Sequence, residues 1–223
     1  MTDPIEQLRS LGDPQDAASA AAYHKVDRDY LGVRVSVLTD LAKQWRQDLT
    51  VEERIALADR LWQSDIHEAR IAAARLLTQA RIRPDEGVWT LIASWVPDFD
   101  GWAIADHACD AGQRRLLADP SRIDEVEAWT TSEHMWTRRA ALVITLPWTK
   151  QNHPAPQDLA IRDRVLGWAA AYVPDRDRFI QKAIGSWLRE LSKHDAQRVQ
   201  TFLDEHGPAL TGGARSEATK HLG

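Results

Sequence analysis

Apolar positions recur along this chain at spacings of three and four, and alternating β-branched runs are absent. From Val33 to Arg46 the residues Val33, Val37, Leu38, Leu41 and Trp45 fall on one helical face. Thr50 followed by Glu53 reads as a capping box, opening a helix that carries Ile55, Leu57, Leu61 and Trp62. Ile66 to Ala80 repeats the pattern, with alanines that permit close helix approach. Asp85 to Val96 follows and is stopped by Pro97. Asp100 to Ala111 is expected to end near Gly112, and a shorter helix runs from Ser121 to Trp129. Ser132 is the expected cap of the helix bearing Met135, Trp136, Ala140, Val143 and Ile144, ended by Pro147. Gln151 to Gln157, with two prolines, reads as a loop. Four more helices are predicted over 159–172, 175–192, 195–206 and 213–222. Asp100-Gly101 lacks strand patterns on either side, so it does not read as a hairpin turn.

About a dozen helices of ordinary length joined by short loops predict an all-α chain. Antiparallel pairs of this kind stack into an α-solenoid of the HEAT type, with a concave face for a partner. The alternative is a compact bundle. A length of 223 residues fits one such domain, 1–223. No apolar run approaches a membrane span, and the N-terminus has neither the basic nor the apolar region of a signal peptide. The single cysteine, Cys109, excludes an internal disulfide and reads as a buried small hydrophobe. These features predict a cytoplasmic protein. The formal net charge of −5 argues mildly against nucleic-acid binding, although a helical array can gather its cations on one surface.

The chemistry-bearing residues are few. None of the eight histidines has the spacing of a metal site, and no glycine-rich phosphate loop is present, so neither metal nor cofactor is expected. The tryptophans are unusually many, ten against three Phe and three Tyr. Trp45, Trp62, Trp89, Trp95, Trp129, Trp148 and Trp168 read as packing between helix layers, and Trp136 as the anchor of its helix. Trp102 and Asp106 are different. Four residues apart, they share a helix face, and an indole beside a carboxylate suits a planar cation. Arg138 and Arg139 project about 100° apart, so one can face a phosphate while the other faces solvent. Phe179, Ala183, Ile184, Trp187 and Leu188 form an apolar stripe, with Lys182 between them.

Four blocks in order resemble the bacterial DNA alkylation repair family of HEAT-like DNA glycosylases, the AlkD type. They are Tyr23-His24-Lys25 running to Tyr30-Leu31-Gly32-Val33, Trp102 to Asp106, Trp136-Thr137-Arg138-Arg139-Ala140-Ala141, and Phe179-Ile180-Gln181-Lys182-Ala183-Ile184-Gly185. The segment Arg215 to His221 is similar too, so the resemblance spans nearly the whole chain. The resemblance implies excision of cationic N3- and N7-alkylpurines from duplex DNA, captured on a shallow concave surface without a deep base pocket. It also implies roles. Asp106 matches the catalytic carboxylate, Trp102 the aromatic against the deoxyribose, Arg139 the backbone-holding arginine, and Tyr23 a position near the lesion. Arg138, Lys182 and Trp187 are further candidates for the DNA face. One site departs: where the family has a second active-site tryptophan this chain has Ser186, with Trp187 one residue later. The expected partner is alkylated double-stranded DNA, bound by a monomer. The rival expectations are a non-catalytic binder of branched or distorted DNA and a protein–protein scaffold.

Overall fold

The structure is a computed structural model that describes residues 3–222. Those residues form α-helices and short 3-10 turns, with one isolated parallel bridge between Asp29 and Ile66 and no strand. The chain divides into two compact units, one running to Ala118 and the other starting at Asp119.

The first unit opens with two helices that the apolar periodicity does not announce, α1 (Pro4–Ser10) and α2 (Pro14–His24). Each starts at an Asp-Pro pair. The Asp3 and Asp13 carboxylates accept from the first free N–H groups, and proline takes the first helical position, where its missing N–H costs nothing. Then come α3 (Val35–Asp48), α4 (Val51–Gln63), α5 (His67–Leu77), α6 (Glu86–Trp95) and α7 (Trp102–Ala118). The Thr50–Glu53 capping box forms as expected. Helix α5 lies at the centre of the unit, packed by α3, α4 and α7, and its alanines 69, 72, 73 and 74 are buried. Trp62 and Trp95 stack in parallel at 4.3 Å, with Trp62 Nε1 donating to Asp98 at 3.0 Å. Val37, expected on the buried face of α3, is exposed.

Two predicted boundaries shift in this unit. Pro97 closes α6 through a short 3-10 turn, Val96–Asp98. Helix α7 runs past Gly112 to Ala118. Glycine ends a helix by adopting a left-handed φ, and among the described glycines only Gly32 has one. Gly112 is buried inside the helix instead.

The second unit comprises α8 (Ile123–Trp129), α9 (Met135–Ile144), α10 (Pro156–Tyr172), α11 (Arg178–Ser192), α12 (Ala196–His206) and α13 (Gly212–Thr219). The residue before α9 is His134, whose N–H donates to Ser132 Oγ at 3.2 Å, so the expected serine cap works two residues early. The loop around Gln151 is shorter than expected, because Pro156 is the first residue of α10. Helix α11 is the unit's spine. It packs closely against α13, and Gly185 allows the approach: a Cβ there would lie 2.9 Å from the Ala214 carbonyl oxygen. No helix among the described residues is long and apolar enough to cross a membrane.

Candidate DNA-lesion site

The first unit gathers an aromatic cluster from residues far apart in sequence. Tyr23 and His24 end α2, Tyr30 lies in the following segment, His67 starts α5 and Trp102 starts α7. Tyr23 meets Trp102 edge-on with ring centroids 6.2 Å apart. His24 packs between them, 5.0 Å from Tyr23 and 5.6 Å from Trp102. Behind it His67 lies 4.5 Å from His24 and 4.8 Å from Tyr30. The front of the cluster is open: Tyr23 is 68% exposed and Trp102 39%. This separates Trp102 from Trp45, Trp62, Trp89, Trp95, Trp148, Trp168 and Trp187, all of them buried. Asp106 is half-exposed one turn further along α7.

Two polar staples fix the segment that joins α2 to α3. The buried carboxylate of Glu68 accepts from Leu31 N at 2.9 Å and from Gly32 N at 2.7 Å. Gly32 is required there. Its φ is +76°, and a Cβ would fall 2.2 Å from the Asp13 carbonyl oxygen. Arg28, its side chain buried, pairs with Asp100 just before α7 and with Asp65 at 3.4 Å. These contacts hold Tyr23, His24 and Trp102 in one place. A pocket of about 210 Å³ opens behind His24, lined by His67, Glu68, Gly32, Arg34 and Val35 among others.

The histidines here are neutral at physiological pH. Burial pushes His67 down to about 3, helped by His24 and the Arg28 guanidinium. Burial lowers His24 as well, opposed by Glu68. His107, beside Asp106, is pushed down to about 4 by burial and by Arg75. The surroundings of the exposed indole and of Asp106 therefore gain no imidazolium charge. Among the described residues no group of three or more His, Cys, Asp or Glu is arranged to hold a metal ion.

The second unit treats its predicted residues differently. Trp136 on α9 and Phe179 on α11 face each other at 4.7 Å. Arg139 lies over Trp136 at 5.6 Å and is only 7% exposed. Arg138 is engaged within the unit. Its guanidinium donates to the Ser132 and Glu133 carbonyls and pairs with Asp175 at 2.9 Å, so it clamps the loop before α9. Lys182 is exposed. The expectation that Trp187 serves on the DNA face is corrected. It is fully buried and its Nε1 donates to Thr145 Oγ1 at 3.3 Å. The single-residue shift from Ser186, about 100° on a helix, turns the ring into the core. Ser186 keeps the half-exposed position. Cys109 is buried, as expected of a small hydrophobe.

Sequence reasoning missed His24, Tyr30 and His67 as one cluster. Their positions, 24, 30 and 67, belong to no common helical period, and only the Tyr23–Val33 block hinted that this segment mattered.

Comparison with known proteins agrees with this architecture. A predicted DNA alkylation repair enzyme from Enterococcus faecalis superposes with a TM-score of 0.80 at 23% identity, over 95% of this chain and 97% of that one. AlkD2 from Streptococcus mutans superposes with a TM-score of 0.65 at 18% identity, over 92% and 97% of the two chains. The protein smu.31 from Streptococcus mutans UA159 gives 0.64 at 19%, over 83% and 92%. At these identities the similarity establishes the fold, an all-α helical repeat. No curated protein matches the chain. The family model described as DNA alkylation repair enzyme matches residues 5–222, and the chain belongs to that family.

Proposed function

We propose that the protein is a monofunctional DNA glycosylase that hydrolyses the N-glycosidic bond of cationic N3- or N7-alkylpurines in duplex DNA. The observation that carries this reading is the open Tyr23–Trp102 pair, with Asp106 one turn beyond it. Most of the chain's indoles are enclosed, while this one spends apolar surface on solvent beside a carboxylate. An exposed ring of that kind has a use where a cation must be met.

Alkylation at N3 or N7 gives the purine a formal positive charge, so it needs no proton to leave. The C1′–N bond breaks with its electron pair going to the base, which becomes neutral. The sugar passes through an oxocarbenium-like state, as in glycoside hydrolysis. Asp106 supplies the negative charge opposite that cation and orients the water that attacks C1′. The water's proton passes to the carboxylate and on to solvent. Trp102 lays π-density against the electron-poor sugar, and Tyr23 supports the ring edge-on. Burial keeps His24 and His107 neutral, so neither adds an imidazolium charge to the site.

Phosphate contact falls to the second unit, to exposed Lys182 and to the remaining surface of Arg139. No metal or cofactor is needed for these steps. The protein acts as a monomer on DNA in the cytoplasm and leaves an abasic site. Release of 7-methylguanine from methylated duplex DNA tests the reading directly. A second reading has its own support: Ser186 stands at the family's second active-site tryptophan, and Trp187 is buried. A protein that binds distorted DNA without freeing any base would answer to that description, and the same assay separates the two.

A further inference from the structure

Arg178, Phe179, Trp136 and Arg139 form a four-member ladder in the second unit, two tilted rings with a cation at each end. The Arg178 guanidinium sits 4.5 Å over Phe179, Phe179 lies 4.7 Å from Trp136, and Trp136 carries Arg139 at 5.6 Å. The two ends differ. Arg139 is buried, while Arg178 is exposed at the first position of α11.

Nearby carboxylates do not neutralise the exposed end. Asp177 is occupied as the helix cap, accepting from Phe179 N at 2.7 Å and Ile180 N at 3.3 Å. Asp175 is occupied by Arg138. Among the described residues neither Arg178 nor Lys182 enters an ion pair, whereas Arg189 on the same helix binds Glu190 and Glu217. Arg178 and Lys182 stand one turn apart, both exposed, with about 6 Å of helix rise between them. That spacing is of the order of neighbouring phosphates on one strand. A guanidinium held over a ring loses less freedom on forming a bidentate phosphate contact.

We infer that Arg178 is a DNA-backbone residue, pre-ordered by the Phe179–Trp136 platform, and that with Lys182 it forms a phosphate track along α11. The inference rests on the DNA-binding part of the proposed function and is independent of its chemistry. Nucleic-acid phosphate is the ligand because the track offers two unpaired cations and no base-reading group beside them.

The test measures affinity for a short undamaged duplex as a function of salt, so base release plays no part. Arg178→Gln should lower the slope of log affinity against log salt by about 0.9, and weaken binding about eightfold at 0.1 M salt with the difference closing toward 1 M. Arg178→Lys and Phe179→Leu should each weaken binding at an unchanged slope, because the charge remains and only its ordering is lost. An unchanged slope for Arg178→Gln overturns the phosphate contact. A lowered slope there, with Arg178→Lys and Phe179→Leu both at wild-type affinity, overturns the pre-ordering. A wild type that binds with an Arg178-dependent slope yet frees no base removes the glycosylase reading and leaves this inference standing.

Discussion

Replacing Glu68 by alanine is the sharpest test of how the aromatic cluster of the first unit is held. The carboxylate is buried and accepts two backbone N–H groups, from Leu31 at 2.9 Å and Gly32 at 2.7 Å. A hydrogen bond to a charged group contributes about 1.5–3 kcal/mol, so the two together contribute about 3–6 kcal/mol. The loss is not recovered by turning the segment, because Leu31 is already tied to Asp13, whose N–H donates to the Leu31 carbonyl at 2.8 Å. Against a total stability of about 5–15 kcal/mol, this is a large fraction. Urea unfolding followed by tryptophan fluorescence should show the midpoint falling by more than about 1 M. Glu68→Gln should lie between, since its oxygen can accept one N–H while its amide nitrogen faces the other. A Glu68→Ala variant within about 1 kcal/mol of wild type would refute the argument, showing that water or relaxation satisfies both N–H groups.

Other outcomes follow from the same geometry. Gly185→Ala places a Cβ 2.9 Å from the Ala214 carbonyl oxygen and 3.0 Å from its Cα, backbone atoms that cannot step aside, so thermal unfolding should report a loss of about 1–3 kcal/mol. His67 has a folded pKa of about 3, below its ordinary 6.5. Between those values the unfolded chain binds more protons, so stability is present above pH 6.5 and is lost as pH falls toward 3. The slope from this one site approaches about 1.4 kcal/mol per pH unit. His67→Phe, which keeps a ring against His24 and Tyr30, should flatten that slope in denaturation measured across pH 4–6.5. Trp102→Ala should reduce base release by at least about tenfold with little loss of stability, since the ring is 39% exposed; kinetics and unfolding on the same variant check both halves.

Much of the fold was legible because helix signals are local. The 3.6-residue period and the Thr50–Glu53 box each act within a few residues. α1 and α2 escaped a reading based on apolar periodicity because α2 has no buried residue, and their true signals were the two Asp-Pro starts. Gly112 misled because composition does not reveal φ. The pair Tyr23 and Trp102 was legible only as separate blocks, and their meeting depends on staples at Glu68 and Arg28 that join residues more than thirty positions apart. Burial was the least legible property. Arg139 and Trp187 sit on amphipathic helices where one step of about 100° decides between solvent and core.

In the proposed chemistry Asp106 faces a sugar that turns cationic as a charged base departs. Single-turnover release of 7-methylguanine from methylated duplex DNA, compared between wild type and Asp106→Asn with DNA affinity measured alongside, tests it most directly. Release by the variant should fall at least about a hundredfold while affinity stays within about twofold. Release at the wild-type rate from the asparagine variant would contradict it.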